Sequence, residues 1–170
     1  MLGIVSGVIA GVPGRLINAW QYKKGLTDKK YGQRAASLFL PNGKVNTEEG
    51  RVIGSIVNHA NISLTGIIFT YLLAATGRDK AVIKGVGVST VAWLVIYGLT
   101  SRLKITVGSK KLRAPLYSFF DHVTLGGLCG YIAAKLGHDS LFPDKEVEEG
   151  EKLPLIGAAE DPSERDGYLH

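Results

Sequence analysis

Arg15, His59, Asp121 and His122 stand inside stretches of the chain that are otherwise almost wholly apolar, with Asn58 and Tyr97 in the same kind of surroundings. Ionisable groups are costly in an apolar setting, so each must pair, reach a polar surface or face a water-filled space. Histidine beside aspartate suits proton transfer near neutral pH, because the ordinary titration of imidazole falls there. Two kinds of chemistry fit the set. It can form an ion or proton path, or Arg15 and Asp121 can make a buried ion pair that fixes helix register, with His59 and the asparagines hydrogen-bonding around it. A shared metal ion among His59, Asp121 and His122 fits poorly, since neighbours 121 and 122 point about 100° apart on a helix. No metal and no other cofactor is expected.

The elements that hold these residues are four apolar blocks, at residues 2–20, 52–76, 81–99 and 116–136. Each is close to the roughly 20 residues that cross a ~30 Å hydrocarbon layer. Soluble helices are rarely both this long and this apolar, and four of them would leave too little amphipathic surface to enclose a water-soluble core. The predicted fold is all-α: an integral membrane bundle of four transmembrane helices over residues 1–138. A short interfacial or re-entrant helix at 31–41 and an acidic, disordered tail at 139–170 complete it. Asn46 and Glu49 have the spacing of a capping box at the start of the second span. The first block is interrupted by Pro13, Gly14, Arg15 and Asn18. It lacks the positive n-region of a signal peptide and is expected to be a mature helix.

Four alternating spans put Arg15, His59 and Asp121 at one side of the layer. At 1.5 Å per residue, Arg15 lies about 7 Å from the helix end at Trp20, His59 about 12 Å from Arg51, and Asp121 about 9 Å from Pro115. Tyr97, five residues before Arg102, is at a similar level. The coincidence of depths makes the cluster Arg15, Asn58, His59, Tyr97, Asp121 and His122 the main candidate site.

Gly3, Gly7 and Gly11 repeat every four residues, and Gly126, Gly130 and Ala134 repeat the device in the fourth block. Lipid gives helices little hydrophobic reason to associate, so small residues on one face let backbones approach closely. The pattern predicts packing within one bundle, with a homo-oligomer contact as the alternative. The single cysteine, Cys129, belongs to no metal-spaced or disulfide set and is expected to pack as a small apolar residue.

Charge sets orientation. Seven Lys and Arg lie between the first two blocks and five between the last two, whereas the tail from residue 139 carries ten acidic and three basic residues. The net +5 is therefore +12 up to residue 138 and −7 beyond it. By the positive-inside rule both basic loops face the cytoplasm and both termini face away from it. A sequence pI near 9.3 raises the question of nucleic acid. The basic residues sit beside the spans, however, without zinc-finger spacing or an aromatic strand, which excludes nucleic acid as the expected partner. The expected partners are the lipid bilayer, anionic lipid head groups at the basic loops, and a second copy or another membrane protein.

No GxSxG, HExxH, Walker loop or GxGxxG with a following acid is present, and no nucleophile stands beside the His/Asp pair. The run "TGRDKAVIKGVGVSTVAWLVIYG", with Lys84-Gly85, Trp93 and Tyr97-Gly98, and the run "SFFDHVTLGGLCGYI", with His122 and paired glycines, resemble small four-span bacterial membrane proteins of unknown function. The resemblance implies a four-helix architecture in a bacterial inner membrane and carries no activity. The expected function is that of a structural or accessory membrane component. A small proton-linked transporter or channel is the alternative, and a lipid-modifying enzyme a remote one.

Overall fold

The computed structural model describes residues 1–106 and 108–143. Over these residues the chain is all-helical: α1 (Leu2–Lys23), α2 (Tyr31–Ala36), α3 (Glu48–Thr76), α4 (Ala81–Arg102) and α5 (Ala114–Leu136), with short 3-10 turns at Asn42–Lys44 and Asp139–Leu141. Three helices, α1, α3 and α4, are long and apolar enough to cross a membrane. α5 has comparable length, 23 residues. Asp121 and His122 in its first half, and its glycines and tyrosines, make it less apolar than those three.

Local chemistry explains the element boundaries. The Thr47 hydroxyl opens α3 by accepting a hydrogen bond from the Gly50 N–H at 3.2 Å, and Glu48 and Glu49 sit at the positive end of the helix. The cap is thus one residue beyond Asn46, whose side chain instead accepts from Gln33 Nε2 at 2.7 Å. Pro115 lies in the first turn of α5, where its missing N–H costs nothing. α1 continues through Pro13 as one helix. The turn between α3 and α4 uses Gly77 at φ +82° and Lys80 at φ +52°. Lys84 then folds back so that its ammonium donates to the carbonyls of Thr76 and Gly77, both at 3.0 Å, and pairs with Asp79 at 2.8 Å.

α1 packs along α3, α4 packs along α5, and α1 and α5 join the two pairs. The interior is made of small and polar residues. On α1 the buried positions include Gly3, Ser6, Gly7, Ala10 and Gly11, while Ile4, Val8, Val12 and Leu16 are exposed. On α4 only 11% of the most apolar window is buried, and Ile83, Val91 and Leu94 face outward. Most large apolar side chains therefore lie outside and small ones inside, with Phe69, Leu73 and Phe142 the large buried exceptions. The helices touch through backbone. A Cβ on Gly7 would stand 2.5 Å from the Ile62 carbonyl oxygen, one on Gly3 2.6 Å from Ile67 Cα, and one on Gly126 2.6 Å from Ser89 Cβ. A small apolar cluster of Phe69, Leu73, Cys129 and Ala133 closes the end near the α3–α4 turn.

Of the acidic segment expected at 139–170, residues 139–143 are described and dock on this end. Phe142 is 3% exposed against the apolar cluster, and Asp139 pairs with Arg78 at 2.7 Å. The rest of that expected tail lies outside the described residues.

Candidate functional site

The site is assembled at the opposite end, where the two basic loops meet. Asp28 in the first loop accepts from the Ser109 hydroxyl and from the Lys110 N–H at 3.0 Å in the second. Burial pushes the Asp28 carboxyl up, but these two donors, with its own N–H and the nearby Lys29 charge, together leave the group below its ordinary value. From this junction α2 turns back against the bundle. Its entry is fixed by the Tyr31 N–H donating to Asn18 Oδ1 at 3.0 Å and the Lys30 N–H donating to Gln33 Oε1 at 2.7 Å. Gly32 lets α2 lie close on Gly54 of α3. Arg34, Ala35 and Ala36 are buried as a result, and Tyr31 and Arg34 are delivered into the bundle.

Tyr31 and Arg34 help to line a partly open cavity of about 100 Å³ between all five helices. Its polar wall includes Arg15, Asn58, Asn61, Thr65, Tyr97, Asp121 and His122. Leu38, Ile62, Ala92, Ile96 and Leu125 complete the lining, so most of the exposed wall is apolar with polar groups set into it. Its volume is that of several waters, since one needs roughly 10–15 Å³ by this kind of measure. Five of the six residues singled out by depth, all but His59, lie on this one cavity. Asp121 is 5% exposed and is held at both oxygens: Oδ1 accepts from Gln21 Nε2 at 3.0 Å and Oδ2 from the Tyr31 hydroxyl at 2.6 Å. Arg15, which is exposed, donates from Nη1 to His59 Nε2 at 2.7 Å. The Ser55 carbonyl can only accept, so its 2.7 Å contact with His59 Nδ1 places the proton there and leaves Nε2 as the acceptor. His122 Nδ1 likewise donates to the Ser118 carbonyl at 2.7 Å.

The ion pair expected between Arg15 and Asp121 is therefore not what these side chains make. Depth along the bundle axis is matched, but direction around α1 is not. The buried face of α1 that carries Gly14, Asn18 and Gln21 meets α5, whereas Arg15, one step of about 100° from Gly14, turns toward His59 on α3. Nor is the cluster uniformly buried: Asp121 is enclosed, Asn58, His59, Tyr97 and His122 are half-buried, and Arg15 is open.

Arg34 lies with its guanidinium 3.6 Å above the centre of the Tyr97 ring and 3.5 Å from Ser101 Oγ. It is 9% exposed, and no carboxylate among the described residues pairs with it. Burial pulls its pKa below the ordinary value, because a desolvated guanidinium is disfavoured. Tyr97 sits in a π-helical stretch, Leu94–Leu99, in which the Thr100 N–H reaches back to the Val95 carbonyl. Trp93 stacks on Tyr97 at 5.8 Å between ring centres. Among the described residues the buried Trp93 Nε1, Ser118 Oγ and Ser89 Oγ have no hydrogen-bond partner, and of the three residues only Ser89 lines this cavity.

A second, outer cavity of about 360 Å³ shares Arg15, Tyr31 and Asn58 with the first. His59 lines it with Lys30, Arg51, Gln33 and Asn46. Tyr31, Arg34 and Gln21 are the residues that sequence reasoning missed. They come from the loop and the end of α1, where no apolar periodicity marks them. The one usable signal was the pair of small residues after Arg34, which lets that turn lie against a helix.

Tyr31→Phe is expected to leave Asp121 Oδ2 without its donor and to lower stability in detergent by about 1–3 kcal/mol. Burial, and then the Asp121 carboxylate, raise the Tyr31 phenol above its ordinary range. The stabilisation tied to its proton is complete below pH 10 and is lost as pH rises beyond it. Thermal unfolding of wild type and Tyr31→Phe between pH 7 and 11 should therefore show the two curves converging at the alkaline end. Compared with known proteins, the chain matches no family model, no curated protein and no solved structure.

Proposed function

We propose that this chain is a four-span protein of a bacterial inner membrane, with both basic loops in the cytoplasm and both termini outside. Its interior cavity would carry a small polar solute or ion, in the manner of a compact proton-linked transporter or channel. Support for the fourth span comes from α5 lying along α1 and α4 with Leu116, Phe120, Tyr131 and Leu136 facing outward. The glycine faces act in this reading as packing devices that bring backbones together at one end. The cavity lies toward the other end, where α2 packs on α3 and Tyr31 and Arg34 join its lining.

The observation that carries the reading is the cavity itself. A cluster that served only to hold helices together would close on itself, yet here Asn58, Asn61, Thr65, Ser89, Tyr97 and His122 line a cavity together with the apolar Leu38, Ile62, Ile96 and Leu125. A second reading, a structural component, is favoured by Asp121 having both oxygens satisfied within the protein. Accessibility separates the two. In membranes from cells making the protein with Cys129→Ala, Asn61→Cys should react with a water-soluble thiol reagent and Val91→Cys on the outward face should not. Lack of reaction at Asn61→Cys in folded protein would favour the structural component.

A further inference from the structure

The outer cavity has a composition that the transport reading leaves unexplained. Among the described residues three cations and no aspartate or glutamate line it: Arg15, whose guanidinium donates to His59, Lys30, whose ammonium also lies 4.9 Å from the centre of the Tyr22 ring, and Arg51. Neutral hydrogen-bonding groups, among them Asn18, Asn46 and Ser55, share the remaining wall with Ala19, Gly32 and Val45. Its volume of about 360 Å³ lies within the range of small-molecule sites, roughly 300–1,000 Å³. Behind it, across the shared wall at Arg15 and Tyr31, lies the buried guanidinium of Arg34, which makes no direct ion pair among the described residues, with Asp28 its nearest acidic influence. The one buried acid in the inner cavity, Asp121, is already occupied by Gln21 and Tyr31.

Cations collected in a concave wall without counter-charges repel one another. An anion placed among them relieves that repulsion, and guanidinium groups match the oxygens of phosphate with paired N–H donors. The position also suits such a ligand. The cavity lies at the basic-loop end of the bundle, about the level of head groups if the helices cross a bilayer.

We propose that the outer cavity binds a phosphate group through Arg15, Lys30 and Arg51, with Arg34 as a second cationic station further in. This rests on the reading of the inner cavity as a solute site and names the class of solute that reaches it. Phosphate chemistry has two sources here, free inorganic phosphate and the head group of an anionic lipid.

The test is calorimetric titration of the full chain in a neutral detergent, with inorganic phosphate in one arm and short-chain phosphatidylglycerol in the other. Saturable binding of at least one is expected. Phosphate alone would identify a soluble ligand, and phosphatidylglycerol alone a lipid head group. Arg51→Gln and Lys30→Gln should each weaken binding about tenfold or more, while Lys110→Gln in the other loop should leave it unchanged, because removing one charged donor costs at least about 1.4 kcal/mol. Two single variants on different elements keep the test informative if one fails to fold. Absence of saturable binding in folded wild type, or equal weakening by Lys110→Gln, would overturn the proposal. The same preparation reconstituted for proton flux keeps the two ideas apart. Flux without binding removes the phosphate site and leaves transport, whereas binding without flux does the reverse.

Discussion

Gly66→Val is expected to leave little folded protein. A Cβ at this position would stand 2.9 Å from the Gly7 nitrogen and 3.0 Å from its Cα, with the Gly3 carbonyl oxygen nearer still. All three are backbone atoms of α1, so no side chain can rotate to make room, and the reciprocal positions on α1 are equally filled. Overpacking that side chains can absorb costs about 1–3 kcal/mol. Here α1 must move away from α3, which forfeits the contact over several turns and lifts Arg15 from His59. The loss should reach the upper end of that range or beyond, against a total of about 5–15 kcal/mol for a typical domain. Gly87→Val is the matched control, since a Cβ there meets nothing within 4 Å. Size-exclusion profile and thermal midpoint in detergent measure the effect. A monodisperse Gly66→Val protein with the wild-type midpoint would show that α1 and α3 are not packed as described.

Asp121→Asn is expected to do the opposite, keeping the fold and removing the function. An asparagine can still accept from the Tyr31 hydroxyl through Oδ1, and the Gln21 amide can turn to accept from Nδ2. Both hydrogen bonds survive and the volume hardly changes, so the thermal midpoint should move little. What disappears is the one carboxyl group on the inner cavity, and with it the ability to take up and release a proton there. Groups that transfer protons contribute about 10²–10⁴ to the rates they serve, and a loss of about a hundredfold in flux is the expected result. Asp121→Leu, which removes the acceptors as well, should lower stability and flux together.

The four long helices were legible because apolar runs of this length have few other uses, and each observed helix covers its predicted block. Depth was legible too. Arg15, Asn58, Tyr97, Asp121 and His122 share a cavity because rise per residue converts sequence distance into height. Direction around a helix was not, because α1 packs against two neighbours and nothing in its sequence says which of them Arg15 faces. Tyr31 and Arg34 escaped notice for a different reason. α2 has only six residues, too few for periodicity to register, and its position is set by Asn18 and Gly54 on other helices. The π-helical stretch under Tyr97 likewise has no local signature beyond Gly98.

Flux across proteoliposomes holding wild type or Asp121→Asn tests the central claim most directly. Proton movement is followed with an internal pH-sensitive dye, with and without a phosphate gradient, after both proteins are shown to be folded. The account predicts flux above protein-free vesicles for wild type and its loss in Asp121→Asn. Wild-type vesicles as tight as protein-free ones would contradict it and leave the cavity residues as a hydrogen-bonded support for the bundle.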